Sequence, residues 1–352
     1  MKLTRRHMAL AALGLPAACA SPPPPPAPPA PAPYRAARRI ALPPATAFAF
    51  SSDDQNLLVG SDEQSRMNTY AQAVEGEARV ILTGHAAAHA DPISYFPTDE
   101  RVLLRVMQGG RAHIFVRGID AALRDLTPQI SMDADFLGWR ANGGAFFVIA
   151  VRDGGSTAYT YDASSYSPYA LYDSTGRIDA ISGDGRWLAF TSAEGIFVVS
   201  LDSPSADPRR VAATPSSGGS VFEFARDGRS LVYANSERGE HIEAWRYDLA
   251  TGAHTPVMQT QADVLAITSA PSGRYRVYAT GADGAINDVL VVDQQTDRAF
   301  PLSAGIRDVR FSRDERRIAH RRADDDWPND IFVSDLNGEN MRRVVHALAA
   351  GQ

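Results

Sequence analysis

Cysteine is almost absent from this chain: Cys19 is the only one in 352 residues. A single cysteine excludes an internal disulfide and any cysteine-based metal centre in the folded part. No run of 18 apolar residues occurs, so no segment has the length and character of a membrane-spanning helix. Sustained helical periodicity is missing after the N-terminus, which argues against the α classes. A surplus of positive charge is missing too. The formal net charge is −6, from 35 basic and 41 acidic residues. Residues 1–18 hold Lys2, Arg5 and Arg6 and no acid, so the remainder carries −9 (35 − 3 = 32 basic against 41 acidic). Binding a phosphate backbone needs a clustered basic field, and nucleic acid is therefore not an expected partner.

What is present is a motif that returns seven times. It reads FSSDDQNLLV from Phe50, FPTDERVLLR from Phe96, WRANGGAFFV from Trp139 and ISGDGRWLAF from Ile181. FARDGRSLVY from Phe224, SAPSGRYRVY from Ser269 and FSRDERRIAH from Phe311 complete the series. The fourth position holds Asp53, Asp99, Asn142, Asp184, Asp227, Ser272 and Asp314, at intervals of 46, 43, 42, 43, 45 and 42 residues. Such a period lies in the range of propeller blades. Within the fourth repeat, Gly183-Asp184-Gly185 supplies a tight turn, Trp187 to Phe190 a strand, and Ile196 to Val199 a further strand. A second aspartate follows 18 to 21 residues after each anchor: Asp120, Asp162, Asp202, Asp248, Asp293 and Asp335. Only the first repeat lacks it, with Val74 and Glu75 there. A short unit of strands and turns cannot bury both its faces and must stack on its neighbours. The expected fold is all-β, a seven-bladed β-propeller of four-stranded antiparallel blades over residues 38–346, with a C-terminal tail at 347–352.

The first residues read as an address and a tether. Residues 1–18 combine a basic start with the short apolar stretch from Met8 to Leu15, and Arg5-Arg6 resembles a twin-arginine export signal. Cys19 resembles the lipidated cysteine of bacterial lipoproteins, although Pro16 stands where that pattern has leucine. Cleavage after Ala18 or Ala20 is the alternative, and it leaves a soluble periplasmic protein. Residues 19–37 are rich in proline and alanine, with Pro22 to Pro26 unbroken. Polyproline II rises about 3.1 Å per residue, so the stretch from Ser21 to Pro33 would act as a stiff spacer of about 40 Å.

The repeat resembles the propeller repeats of TolB and of prolyl-oligopeptidase-type (S9) serine peptidases. Phe136-Leu137-Gly138-Trp139 with Ala145-Phe146-Phe147-Val148, and Asp330-Ile331-Phe332-Val333-Ser334-Asp335-Leu336, are similar to blades of the second family. That resemblance implies a propeller from about residue 40 to 346. In the peptidases the chemistry belongs to a following α/β-hydrolase domain, and the sequence shows no Gly-x-Ser-x-Gly elbow.

Other candidate sites read as structure. Gly154-Gly155-Ser156-Thr157-Ala158 lacks the final glycine of the elbow and falls in a hairpin. His85 and His89 have helical ligand spacing but lie in a connector without the glutamate of His-Glu-x-x-His. Asp324-Asp325-Asp326 to Asp330 lacks the central glycine of a calcium loop and reads as an acidic hairpin tip. Glu237, Glu240 and Glu243 line one hairpin, and Trp139, Trp187 and Trp245 read as core. The sequence thus points to no catalytic residue, no metal and no cofactor. It points instead to an exported binding or scaffold propeller, monomeric, touching the membrane only through its anchor and binding an envelope protein or peptide. The alternative is a propeller that works with a serine hydrolase on a separate chain. Arg38 to Leu42 resembles the outer strand that ends a blade, Arg209 to Ala213, yet precedes every repeat. It is expected to pair within blade seven.

Overall fold

The computed structural model describes residues 41–42, 45–63, 66–76, 79–83, 90–118, 120–130, 132–203, 205, 207–213, 221–235, 242–258, 262–282, 285–302, 305–322 and 330–347. They form seven four-stranded antiparallel sheets, each made of strands consecutive in sequence, and no helix occurs among them. Blade four shows the plan: Arg177–Ile181, Trp187–Ser192, Gly195–Ser200 and Arg209–Ala212. The first strands of the seven blades are Ala45–Phe50, Ala90–Tyr95, Asp133–Trp139, Arg177–Ile181, Val221–Phe224, Asp263–Ser269 and Ile306–Phe311. The molecule is the seven-bladed propeller that the repeat predicts.

Strand alternation gives each blade two apolar faces, and these meet the neighbouring blades. The buried apolar side chains fall into seven clusters, one for each gap between blades. Leu58 of blade one meets Val102 and Leu104 of blade two. Between blades two and three, Phe96 and Leu103 meet Phe146 and Tyr161. Ala189 and Val198 of blade four meet Phe224 and Tyr233 of blade five. The closing gap is filled in the same way: Phe48, Leu57 and Val59 of blade one pack on Ala319, Ile331 and Val333 of blade seven. Seven gaps filled for seven blades means a closed ring.

The anchor turns share one hydrogen bond. The side-chain oxygen of the fourth repeat position accepts the backbone N–H two residues on, at 3.0 Å (Asp53), 2.9 Å (Asp99), 3.0 Å (Asn142), 3.1 Å (Asp184), 2.9 Å (Asp227), 3.0 Å (Ser272) and 3.0 Å (Asp314). The fifth position then adopts positive φ in six blades. Gly143, Gly185, Gly228 and Gly273 do so without a Cβ, whereas Asp54 (φ 59°) and Glu315 (φ 56°) do so with one. Both acids reach back to the preceding blade. Glu315 accepts from the backbone N–H and the hydroxyl of Ser272 in blade six. Asp54 accepts the N–H groups of Arg313 (2.7 Å) and Asp314 (2.9 Å) in blade seven, and its carbonyl accepts from Arg317 at 2.8 Å.

A second closure lies at the rim. Ala41–Leu42 adds a fifth strand to blade seven, parallel to its outer strand Arg342–Ala347, with Ala41 opposite His346 and Leu42 opposite Ala347. The expected pairing of the N-terminal segment is therefore present at 41–42, and residues 38–40 lie outside the described residues. Arg342 of that outer strand also donates to the carbonyl of Val74 in blade one. One sequence reading is corrected in the same blade. Asp330 is not part of an exposed tip: it is fully buried and pairs with Arg343 at 3.0 Å, because it immediately precedes the third strand, Ile331–Asp335, and is drawn into the sheet with it.

Candidate functional site

Repeat positions one and eight are apolar in six blades. In five of them the two positions oppose each other across the first two strands, as Phe50–Leu57, Trp139–Phe146, Ile181–Leu188, Phe224–Leu231 and Phe311–Ile318, whereas in blade two the opposed pair is Tyr95–Val102. Blade six breaks this rule. There the opposed pair is Ser269 and Arg276. Arg276 is only 3% exposed, and it donates to the Ser269 hydroxyl at 3.0 Å and to the Gln294 side-chain oxygen at 3.0 Å. Both partners are neutral, so neither cancels the charge of a buried guanidinium.

Across the gap, the first strand of blade five presents Glu223. Its residue is half-buried, but Oε2 is shielded from solvent and has no hydrogen-bond partner among the described residues. Burial pushes its carboxyl above the usual range, while Arg276 and Ser269 pull it the other way. Glu223 stands opposite Val232, which stands opposite Arg246, so the three share one face of blade five. Tyr278, two residues beyond Arg276, is 1% exposed, and burial pushes its hydroxyl up.

Above this floor opens a cleft of about 420 Å³ between the anchor turns of blades five and six. Its cations are Arg226, Arg229 and Arg246 from blade five and Arg276 from blade six. The first three are exposed, and their guanidinium groups form no hydrogen bond or ion pair among the described residues. This departs from the neighbouring blades. In blades four and six the arginine after the anchor turn pairs with the second aspartate of the repeat, Arg186 with Asp202 at 2.6 Å and Arg274 with Asp293 at 2.8 Å. Arg229 and Asp248 hold the same positions in blade five and do not pair. The carboxylates of the cleft serve their own turns. Asp227 accepts from Arg229 N–H at 2.9 Å, and Asp248 accepts from the Thr251 N–H (2.7 Å) and hydroxyl (2.8 Å) and from Ala250 N–H (3.0 Å). The Thr251 bonds hold the Asp248 carboxyl below its ordinary value. Guanidinium groups are donors that stay charged, with a planar fork matched to carboxylate and phosphate oxygens.

No protein-family model matches the chain, and no curated protein matches it in sequence. Solved structures do. TolB from Acinetobacter baumannii is 12% identical with a TM-score of 0.51, covering 81% of each chain. An oligogalacturonate lyase from Vibrio parahaemolyticus is 12% identical with a TM-score of 0.59, covering 84% of this chain and 90% of that one. A prolyl endopeptidase is 11% identical with a TM-score of 0.62, covering 86% of this chain and 49% of the enzyme. The chain shares their propeller fold. At such identities the likeness concerns the fold alone, and the chain spans about half of the endopeptidase.

The seven anchors cap the turns of seven different blades, and of them only Asp227 and Ser272 line the cleft. Ser156 is buried; its hydroxyl donates to the Gly176 carbonyl at 2.9 Å and accepts from Ile178 N–H at 2.8 Å, which occupies it structurally. Trp139, Trp187 and Trp245 pack against inter-blade clusters. Glu243 begins the third strand of blade five. Arg5, Arg6, Cys19, His85, His89, Glu237, Glu240 and Asp324 to Asp326 lie outside the described residues. Among the described residues, no three His, Cys, Asp or Glu side chains are grouped as a metal site. The cleft between blades five and six is not among the sites that the sequence suggests. Its sequence signal is the pair of departures in one repeat, a serine and an arginine where the other six copies are apolar.

Proposed function

We propose that this chain is a non-catalytic binding or scaffold module of the bacterial cell envelope, exported and held at a membrane through a lipidated Cys19. The observation that carries the binding reading is the cleft between blades five and six. It gathers four guanidinium groups, which hold and orient a ligand but do not exchange protons near neutral pH. Its carboxylates are engaged in turns rather than poised as acid or base. Propellers present function on the loops and clefts of a rigid ring, which fits a module that binds. The propeller fold shared with TolB of Acinetobacter baumannii and the export-like N-terminus support an envelope location.

The test is purification of the protein from its native membrane together with what accompanies it. An envelope protein present in fixed ratio, with no turnover of peptides or esters by the propeller itself, is the expected result. A co-purifying serine hydrolase would favour a propeller that serves a separate catalytic chain. Hydrolysis of an acyl-peptide by the propeller alone, blocked by a serine-directed reagent, would overturn the non-catalytic reading.

A further inference from the structure

We propose that the cleft between blades five and six is a binding site for a small anion that presents carboxylate or phosphate oxygens to Arg226, Arg229, Arg246 and Arg276. The proposal deepens the binding reading above and rests on it.

Four observations converge. An arginine and a serine replace an apolar pair in the one repeat that forms the cleft floor, although the same positions are apolar in the other six blades. Desolvating a guanidinium is costly unless something compensates it. Arg276 has only neutral hydrogen-bond partners, the Ser269 hydroxyl and the Gln294 side-chain oxygen. The ion pair that would neutralise Arg229 is not made, unlike its counterparts in blades four and six. Finally, three guanidinium groups without partners among the described residues share one concavity with the buried one.

Size and charge narrow the ligand. About 420 Å³ lies near the lower end of small-molecule sites, so the cleft suits a small di- or tricarboxylate, a phosphate ester, or one or two acidic side chains. An extended polyanion is disfavoured by the net charge of −6. Bidentate guanidinium–oxyanion pairing supplies the recognition and gives neutral isosteres no hold.

The experiment is titration calorimetry on detergent-solubilised full-length protein at constant ionic strength. The probes are citrate, pyrophosphate and acetyl-Glu-Glu-amide, with acetyl-Gln-Gln-amide as the neutral control. Saturable binding of at least one anion and none of the control is expected. Binding of pyrophosphate alone identifies a phosphate ligand, and binding of citrate or the acidic dipeptide a carboxylate. The Arg229→Ala/Arg246→Ala variant should bind about tenfold or more weakly, through loss of charge-assisted bonds. Both side chains are exposed, so its melting temperature should stay near that of the wild type. Absence of saturable anion binding, or equal binding by the double-arginine variant, overturns the proposal. The two readings separate cleanly: a double-arginine variant that still captures the envelope partner, in a protein that binds no anion, removes this inference and leaves the scaffold function standing.

Discussion

Each anchor side chain ties down a turn by one bond to the backbone two residues on, and Asp184 adds a contact with the next blade. A Cβ added at Gly228 would lie 2.7 Å from Asp184 Oδ2, at φ 64°. Asp184→Ala is expected to cost about 1 kcal/mol, the usual worth of one such bond. Gly228→Ala should cost more, combining left-handed strain of about 1–2 kcal/mol with the clash. The double variant should be less destabilised than the sum, because the clashing carboxylate is gone; strict additivity in chemical denaturation would refute that coupling. A second residue prediction concerns His320, which is fully buried in blade seven and stacked on Phe332 with ring centroids 5.9 Å apart. Burial, aided by Arg322, holds its pKa down to about 3, from 6.5. The unfolded chain therefore takes up a proton near pH 6.5 that the folded protein refuses until about pH 3. Stability from this group is complete above pH 6.5 and is lost as pH falls toward 3, by about 1.4 kcal/mol per unit within that window. Melting of wild type and His320→Phe between pH 7 and 4.5 should show a flatter profile for the variant; parallel profiles would refute the assignment.

At the scale of the element, the turns decide how one blade meets the next. In four blades the fifth repeat position is a glycine that gives the left-handed backbone at no steric cost. The turns of blades one and seven use Asp54 and Glu315 there, each accepting bonds from the preceding blade. Left-handed strain at an acidic residue is a modest cost beside two hydrogen bonds to otherwise unpaired N–H groups. Asp54 is 5% exposed, so water cannot replace those bonds easily. Asp54→Gly removes the strain and the bonds together, and a net loss of about 1–2 kcal/mol is expected. In a protein of this size that corresponds to a fall of about 2–4 °C in melting temperature. An unchanged or higher melting temperature would show that the turn contributes nothing to closure.

At the scale of the whole molecule, the ring is held shut in three places between its ends: the apolar gap between blades one and seven, the Asp54 turn, and the strand Ala41–Leu42 on the rim. An added outer strand covers an edge that would otherwise present unpaired backbone groups. Deleting residues 34–43 should lower the melting temperature by several degrees, on the order of 2 kcal/mol or less from two backbone pairs and their packing. An unchanged melting temperature would show that the strand contributes no closure. The tether sets the other whole-molecule prediction. Cys19→Ser should shift the protein from the membrane to the soluble envelope fraction, since anchoring of this kind depends on acyl chains. Wild-type protein that fractionates as soluble and carries no lipid mass would refute the anchor.

The sequence by itself determined the number of blades, the strand class and the turns. These rest on local physics: alternation assigns a strand residue to a face, and an aspartate bonds the N–H two residues ahead whatever surrounds it. It also showed the spare outer-strand segment before the first repeat. What the tertiary structure alone decided is what each face meets. Arg229, Arg246 and Arg276 are scattered through two repeats, and only the packing of blade five on blade six places two exposed arginines and a buried arginine around one cleft. The aspartate at 330 shows the same limit: within a run of acids nothing local distinguishes it, and its burial against Arg343 depends on where the strand begins. Long-range neighbours set desolvation, and desolvation is what separates a surface charge from one that can hold a ligand.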